Sequence, residues 1–207
     1  MSRGWAGGRP LHVSESPPNA APAVTRATDL VRLFSRPGPD FATFREVSAG
    51  AVPQPARGLL DHASHMTVAM ERLHGTPLGL RVVARSRDLA GATPWYAREI
   101  LLLSPSDAVV QYGIVRIDLS RVDAATAAAV RSARLPLGRV LIDAGLLREV
   151  HAVALLEVTP GPRLAALFGP ESVASTAVPT TYGRVAEISL GGHPAVELLE
   201  ILPPRHG

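Results

Sequence analysis

The chain contains neither cysteine nor lysine. The first absence excludes disulfides, thiolate catalysis and Cys-ligated zinc, and removes any compositional argument for an oxidising compartment. The second means that all 21 basic residues are arginine. The formal charge is +3, but the arginines are spread along the chain. The nearest cluster, Arg81, Arg85 and Arg87, lies on or beside an apparent strand with Val82 and Val83. A nucleic-acid footprint would gather them on one element with aromatics interleaved, and aromatics are only 4% of this chain, so no nucleic-acid partner is expected. No apolar run approaches the roughly 18 residues of a membrane span. Arg3 and Arg9 are followed by no apolar core of a signal peptide. The expectation is a cytoplasmic protein with no membrane partner.

What is present suits one globular core: 207 residues, 46% hydrophobic and 19% charged. Nineteen prolines and 18 glycines imply many turns. Residues 1–27 are rich in Gly, Pro, Ser and Ala and read as a disordered leader, leaving 28–207 as a single domain. A short helix is expected from Thr28 or Asp29, ended by Pro37-Gly38-Pro39, and another where Met66, Met70 and Leu73 recur at helical spacing before His74-Gly75. Strands are expected over 78–85, 96–103 and 109–119, the last two as a hairpin. Asp123 should cap an alanine-rich helix, and Pro136 should begin the next, closed by Gly145. A strand over 150–158, a helix over 162–168 and a final hairpin of 182–190 with 195–202 complete the chain. Strands in hairpins with helices inserted give an α+β fold, an antiparallel sheet with helices on one face.

The segment Tyr96-Ala97-Arg98-Glu99-Ile100-Leu101-Leu102-Leu103 puts a charge pair into an apolar strand. Alternation sends Arg98 to one face and Glu99 to the other, each in an apolar row, so one of them should be drawn inside. A buried guanidinium stays protonated and needs an anion, supplied either by the protein or by a ligand. On the last strand Glu197 and Glu200, three apart, face opposite ways; the inward one could pair with Arg98 or Arg184. Pro136-Leu137-Gly138 presents backbone N–H groups at a helix start, where an anion is favoured. His62, His65 and His74 with Asp61 and Glu71 lack a His-Glu-x-x-His signature, and no metal is assigned. A Gly-x-Ser-x-Gly nucleophile turn is absent, and Gly191-Gly192 lies between strands rather than opening a helix as a phosphate loop would.

In this order, His65-Met66-Thr67, the Arg98-Glu99-Ile100-Leu101-Leu102 strand, Pro136-Leu137-Gly138-Arg139, Tyr182-Gly183-Arg184, and Gly192-His193-Pro194 before a Glu-bearing apolar strand resemble the chorismate pyruvate-lyase family, bacterial enzymes that form 4-hydroxybenzoate. The resemblance covers about residues 59–203 and is closer to a divergent bacterial branch. It implies a buried ligand pocket under flaps, chorismate as substrate, a hydroxybenzoate and pyruvate as products, and no metal or organic cofactor. Arg98 would grip the ring carboxylate. Met66 and Leu137 would contact the ligand through their backbones, with Gly138 and Arg184 from the matched motifs completing the substrate-binding set. Glu200 is the candidate catalytic carboxylate, with Glu197 as the alternative because the family's Glu falls at slightly different offsets from Pro194. A monomer or small homo-oligomer is expected. Effector-sensing domains of bacterial transcription regulators share this general fold and would need the arginine without the glutamate, and a purely structural protein would pair Arg98 internally.

Overall fold

The computed structural model describes residues 21–63, 66–86, 94–146, 148–170 and 179–204. Its helices are α1 (Ala23–Arg32), α2 (Ala56–Leu60), α3 (Met66–His74), α4 (Ala124–Ser132), α5 (Leu137–Asp143) and α6 (Pro162–Phe168). Its strands are β1 (Ala42–Val47), β2 (Gly79–Arg85), β3 (Trp95–Leu103), β4 (Val109–Asp118), β5 (Arg148–Pro160), β6 (Thr181–Leu190) and β7 (His193–Ile201). The seven strands form one antiparallel sheet in the order β1-β5-β6-β7-β4-β3-β2, which makes the protein α+β. The β6–β7 turn is the two residues Gly191 and Gly192, with φ of 57° and 81°. Both central positions of such a turn need a left-handed backbone, which glycine adopts without steric cost.

The helices are divided between the two faces of the sheet rather than gathered on one. On one face, Ala23, Ala27, Leu30 and Val31 of α1 and Leu164 and Phe168 of α6 pack with Leu101, Tyr112, Ile114, Leu199 and Ile201. On the other, Ala127 and Val130 of α4 and Leu137, Val140 and Leu141 of α5 pack with Val115, Ile117, Ile188 and Leu198. Leu59 and Leu60 of α2 and Met66 and Met70 of α3 continue that layer over Ile100 and Leu102. The physical reason is visible in β3, where every residue after Trp95 is buried. Both of its side-chain rows are apolar, so each demands a cover.

Two boundaries differ from the expectation. α1 begins at Ala23, so the stretch read as leader supplies its first residues. Thr28 and Asp29 do not cap it; Thr28 Oγ1 donates back to Val24 O at 2.7 Å and Asp29 pairs with Arg32. Positions 23, 27, 30 and 31 make the apolar stripe that fixes the helix on the sheet, and packing of such a stripe outweighs a capping preference. Pro136 is the N-cap of α5 rather than its first helical residue. Asp123 caps α4 as expected, its carboxylate accepting from Thr126 N at 2.6 Å.

Candidate functional site

Both members of the β3 charge pair are buried, and they are treated differently. Glu99 and Arg98 are each 0% exposed, on opposite faces of the sheet. Glu99 is fully partnered: Arg163 of α6 donates Nη1 and Nη2 to its two oxygens at 2.7 Å each, and Tyr112 Oη donates to Oε1 at 2.7 Å. The fork raises the Arg163 pKa, chiefly through the hydrogen bonds to Glu99. Burial, joined by the Glu99 charge, pushes the Tyr112 phenol well above its ordinary value, so the hydroxyl remains a donor. Arg163 also stacks over Phe41, 5.6 Å from the ring centroid. This is a closed structural cluster that pins α6 to the sheet.

Arg98 has no such partner. Its Nη2 donates to Leu135 O, in the α4–α5 connection, at 3.0 Å. Its Nε and Nη1 have no hydrogen-bond partner, and it makes no ion pair with any described residue. Burial lowers its pKa from the ordinary arginine value, Tyr96 opposing and Arg85 adding to the shift, but an arginine remains a cation in a protein. The internal salt bridge that could have explained the buried Arg98 is therefore not formed with any described residue. An uncompensated interior guanidinium is costly, and its free donors are suited to a carboxylate or another planar anion.

Arg98 lines a cavity between the sheet and the α2–α5 layer. It is lined by Met66 and Thr67 at the start of α3, by Pro136, Leu137 and Gly138 at the start of α5, and by Arg98, Gln111, Arg184 and Glu200 among apolar strand residues. The register explains the gathering. Arg98 is opposite Val115, while Ile100, Gly113, Glu200 and Arg184 lie opposite one another on the next rung of the same face, so two adjacent rows of pocket-facing positions cross β3, β4, β7 and β6. Gly183 permits the close β6–β7 approach beside Glu200, since a Cβ there would stand 2.6 Å from Glu200 O. Arg184, 1% exposed, donates Nε to Glu200 Oε2 at 2.7 Å and Nη1 to His62 O at 2.7 Å and Leu60 O at 3.3 Å, with His62 Nδ1 also at 3.3 Å. The inward glutamate of the last strand thus pairs with Arg184, which ties α2 and its exit to β6 and β7.

Six of the seven residues singled out from the sequence meet here: Met66, Arg98, Leu137, Gly138, Arg184 and Glu200. Glu197 does not. The β4–β7 register runs without interruption from Arg116↔Glu197 to Gly113↔Glu200, so no bulge brings the two glutamates to one face. Glu197 lies on the opposite side with Arg116 at 3.5 Å, partly exposed, and Arg116 in turn stacks on Trp95. Sequence reading passed over Gln111, whose buried Oε1 has no partner. The available signal was its place in Val109-Val110-Gln111-Tyr112-Gly113, a polar side chain in the row of Gly113 and Val115. His65 lies outside the described residues, as do 87–93 and 171–178. Among the described residues no group of three or more His, Asp or Glu is placed to hold a metal ion.

The free volume is about 50 Å³, enough for a few water molecules and below the roughly 300–1,000 Å³ of occupied ligand pockets. Helices α3 and α5 are joined by a partly exposed ion pair, Arg139 Nη2 donating to Glu71 Oε2 at 2.6 Å.

Comparison with family models gives no match, and neither does comparison with curated proteins. Among the described residues no helix is long and apolar enough to cross a membrane.

Proposed function

We propose that the cavity is an aromatic-carboxylate site and that the protein is a lyase converting chorismate to a hydroxybenzoate, 4-hydroxybenzoate first among the isomers, and pyruvate. The observation that carries this reading is the Arg98 guanidinium, buried without an anionic partner among the described residues and with Nε and Nη1 unbonded, lining the same cavity as Glu200. Arg98 holds the ring carboxylate in a charge-assisted fork, and Arg184 supplies the second positive charge beside the substrate. Loss of the C4 hydrogen and cleavage of the C3–O bond make the ring aromatic; the enolpyruvyl group leaves and takes up a proton to become pyruvate. Glu200 serves as the proton carrier near the ether. Most of the driving force belongs to the aromatising ring, so a site with few catalytic groups suffices. Confinement in reactive geometry lowers such a barrier by roughly 7–11 kcal/mol.

One observation favours a second reading. Glu200 Oε2 already accepts from Arg184 Nε at 2.7 Å, an arrangement that also serves a binding domain in which the carboxylate only orients an arginine. Incubation with chorismate separates the two. Pyruvate and hydroxybenzoate appearing in equal amounts, and lost in Glu200→Gln, are expected of the lyase. A hydroxybenzoate that raises the melting temperature without any turnover of chorismate would replace the lyase with the binding domain.

A further inference from the structure

Arg98 is not the only side chain lining the cavity with polar atoms that no described residue bonds. Gln111 is 2% exposed, its Oε1 has no hydrogen-bond partner, and none of its side-chain atoms is bonded to a described residue. It stands beside Ile100 and Leu102 on that face, where a leucine would pack without the desolvation of an unbonded amide. The strand register fixes where it lies. Gln111 is opposite Leu102 and Val115 is opposite Arg98, so the two polar positions are four residues apart along one face, about 13 Å between their Cα atoms. Gly113, facing the cavity between them, contributes no side chain to fill the space. One end of the cavity therefore carries the Arg98 guanidinium and the other the Gln111 amide, with Gly113 and the Glu200–Arg184 pair across the middle.

We infer that Gln111 determines specificity, by hydrogen-bonding a hydroxyl or amino substituent on the side of the ring away from the carboxylate held by Arg98. This rests on the reading of the cavity as an aromatic-carboxylate site. It gives that site a second requirement that the arginine alone does not impose. Glu200 is a weaker candidate for the same contact, because one of its oxygens is already taken by Arg184. A hydroxyl, which both donates and accepts, satisfies the amide in either orientation, whereas an unsubstituted ring leaves it buried and unbonded. Sites built to bond a substituent reject the analogue lacking it for that reason.

Calorimetric titration of benzoate and 4-hydroxybenzoate into the unaltered protein, Gln111→Leu, Gln111→Met and Glu200→Gln tests this. The unaltered protein is expected to bind 4-hydroxybenzoate at least about tenfold more tightly than benzoate. Gln111→Leu and Gln111→Met should bring that ratio close to one while benzoate affinity stays within about threefold, and Glu200→Gln should keep the preference. A preference that survives in both Gln111 variants, or that is lost in Glu200→Gln instead, overturns the assignment and leaves the Arg98 clamp standing. Equal affinity for the two acids in the unaltered protein does the same. Failure of both acids to bind the unaltered protein overturns the carboxylate site and this inference with it. Melting temperatures of the same samples separate a lost contact from a lost fold, and Gln111→Met, which keeps the side-chain length, carries the test where leucine disturbs the packing.

Discussion

Replacing Arg98 by methionine should make the protein no less stable while removing its affinity for aromatic carboxylates. The two effects have one origin. The guanidinium is 0% exposed, makes a single hydrogen bond, to Leu135 O, and has no carboxylate partner among the described residues. Replacing buried ionic groups by apolar side chains of similar volume has stabilised proteins by about 1–4 kcal/mol, and losing the bond to Leu135 O offsets about 1 kcal/mol of that. A net change between about 0 and +3 kcal/mol follows, which at roughly 2–4 °C per kcal/mol raises the melting temperature by at most about 6–12 °C. Methionine is the useful replacement because alanine would add a cavity cost that hides the sign. For the ligand, two charge-assisted hydrogen bonds of about 1.5–3 kcal/mol each are lost, a weakening of roughly 100- to 10,000-fold. Chemical denaturation and calorimetric titration on the same preparation give both numbers. A loss of stability of about 3 kcal/mol or more would refute the reasoning, because that is the signature of breaking a buried pair that the free protein possesses. Unchanged affinity for benzoates would refute the clamp.

The opposite face of the same strand predicts the opposite behaviour. Glu99→Gln breaks the fork to Arg163 and weakens the bond from Tyr112, and should cost about 3 kcal/mol in denaturation with little change in ligand affinity. Glu71→Gln removes the tie between α3 and α5; at low salt, stopped-flow measurements should show ligand entering and leaving several-fold faster, with the difference shrinking in high salt. Asp123, capping α4, has its pKa held below the ordinary aspartate value by hydrogen bonds from Thr126. Its contribution is therefore full above the unfolded-state pKa and is lost as pH falls through the lower folded-state one. Asp123→Asn should flatten that part of the acid-denaturation profile, read by circular dichroism.

The contrast within β3 also explains how the site can exist in a stable fold. A closed charge cluster on the α6 side and an open one on the α2–α5 side are built from neighbouring residues of a single strand. Tyr112 and Arg163 discharge the demand of Glu99, so α6 is fixed firmly. On the other face the ion pair Arg184–Glu200 joins β6 to β7 and, through His62 O and Leu60 O, to the end of α2. Arg98 is left as the side chain whose demand the described residues do not meet with an anion.

Much of the fold was legible in the sequence because its signals are local. Period-two alternation in 96–103, the 66–70–73 spacing, the Asp123 cap and the Gly191-Gly192 turn act over a few residues, and the structure forms those elements. Alternation also separated Arg98 from Glu99 and Glu197 from Glu200. It could not say which group each of them would meet, because Arg163, Leu135, Arg184 and Arg116 reach them from distant parts of the chain. The start of α1 escaped because tertiary packing of Ala23 and Ala27 outweighed the capping residues that followed them. Gln111 escaped because an isolated glutamine in a strand gives no warning until the fold sets it beside Ile100 and Leu102 under a helical layer. Strand identity and facing are thus properties of the local chain. Whether a buried charge is paired or left open is decided by long-range register, which only the assembled sheet and its two helical layers define.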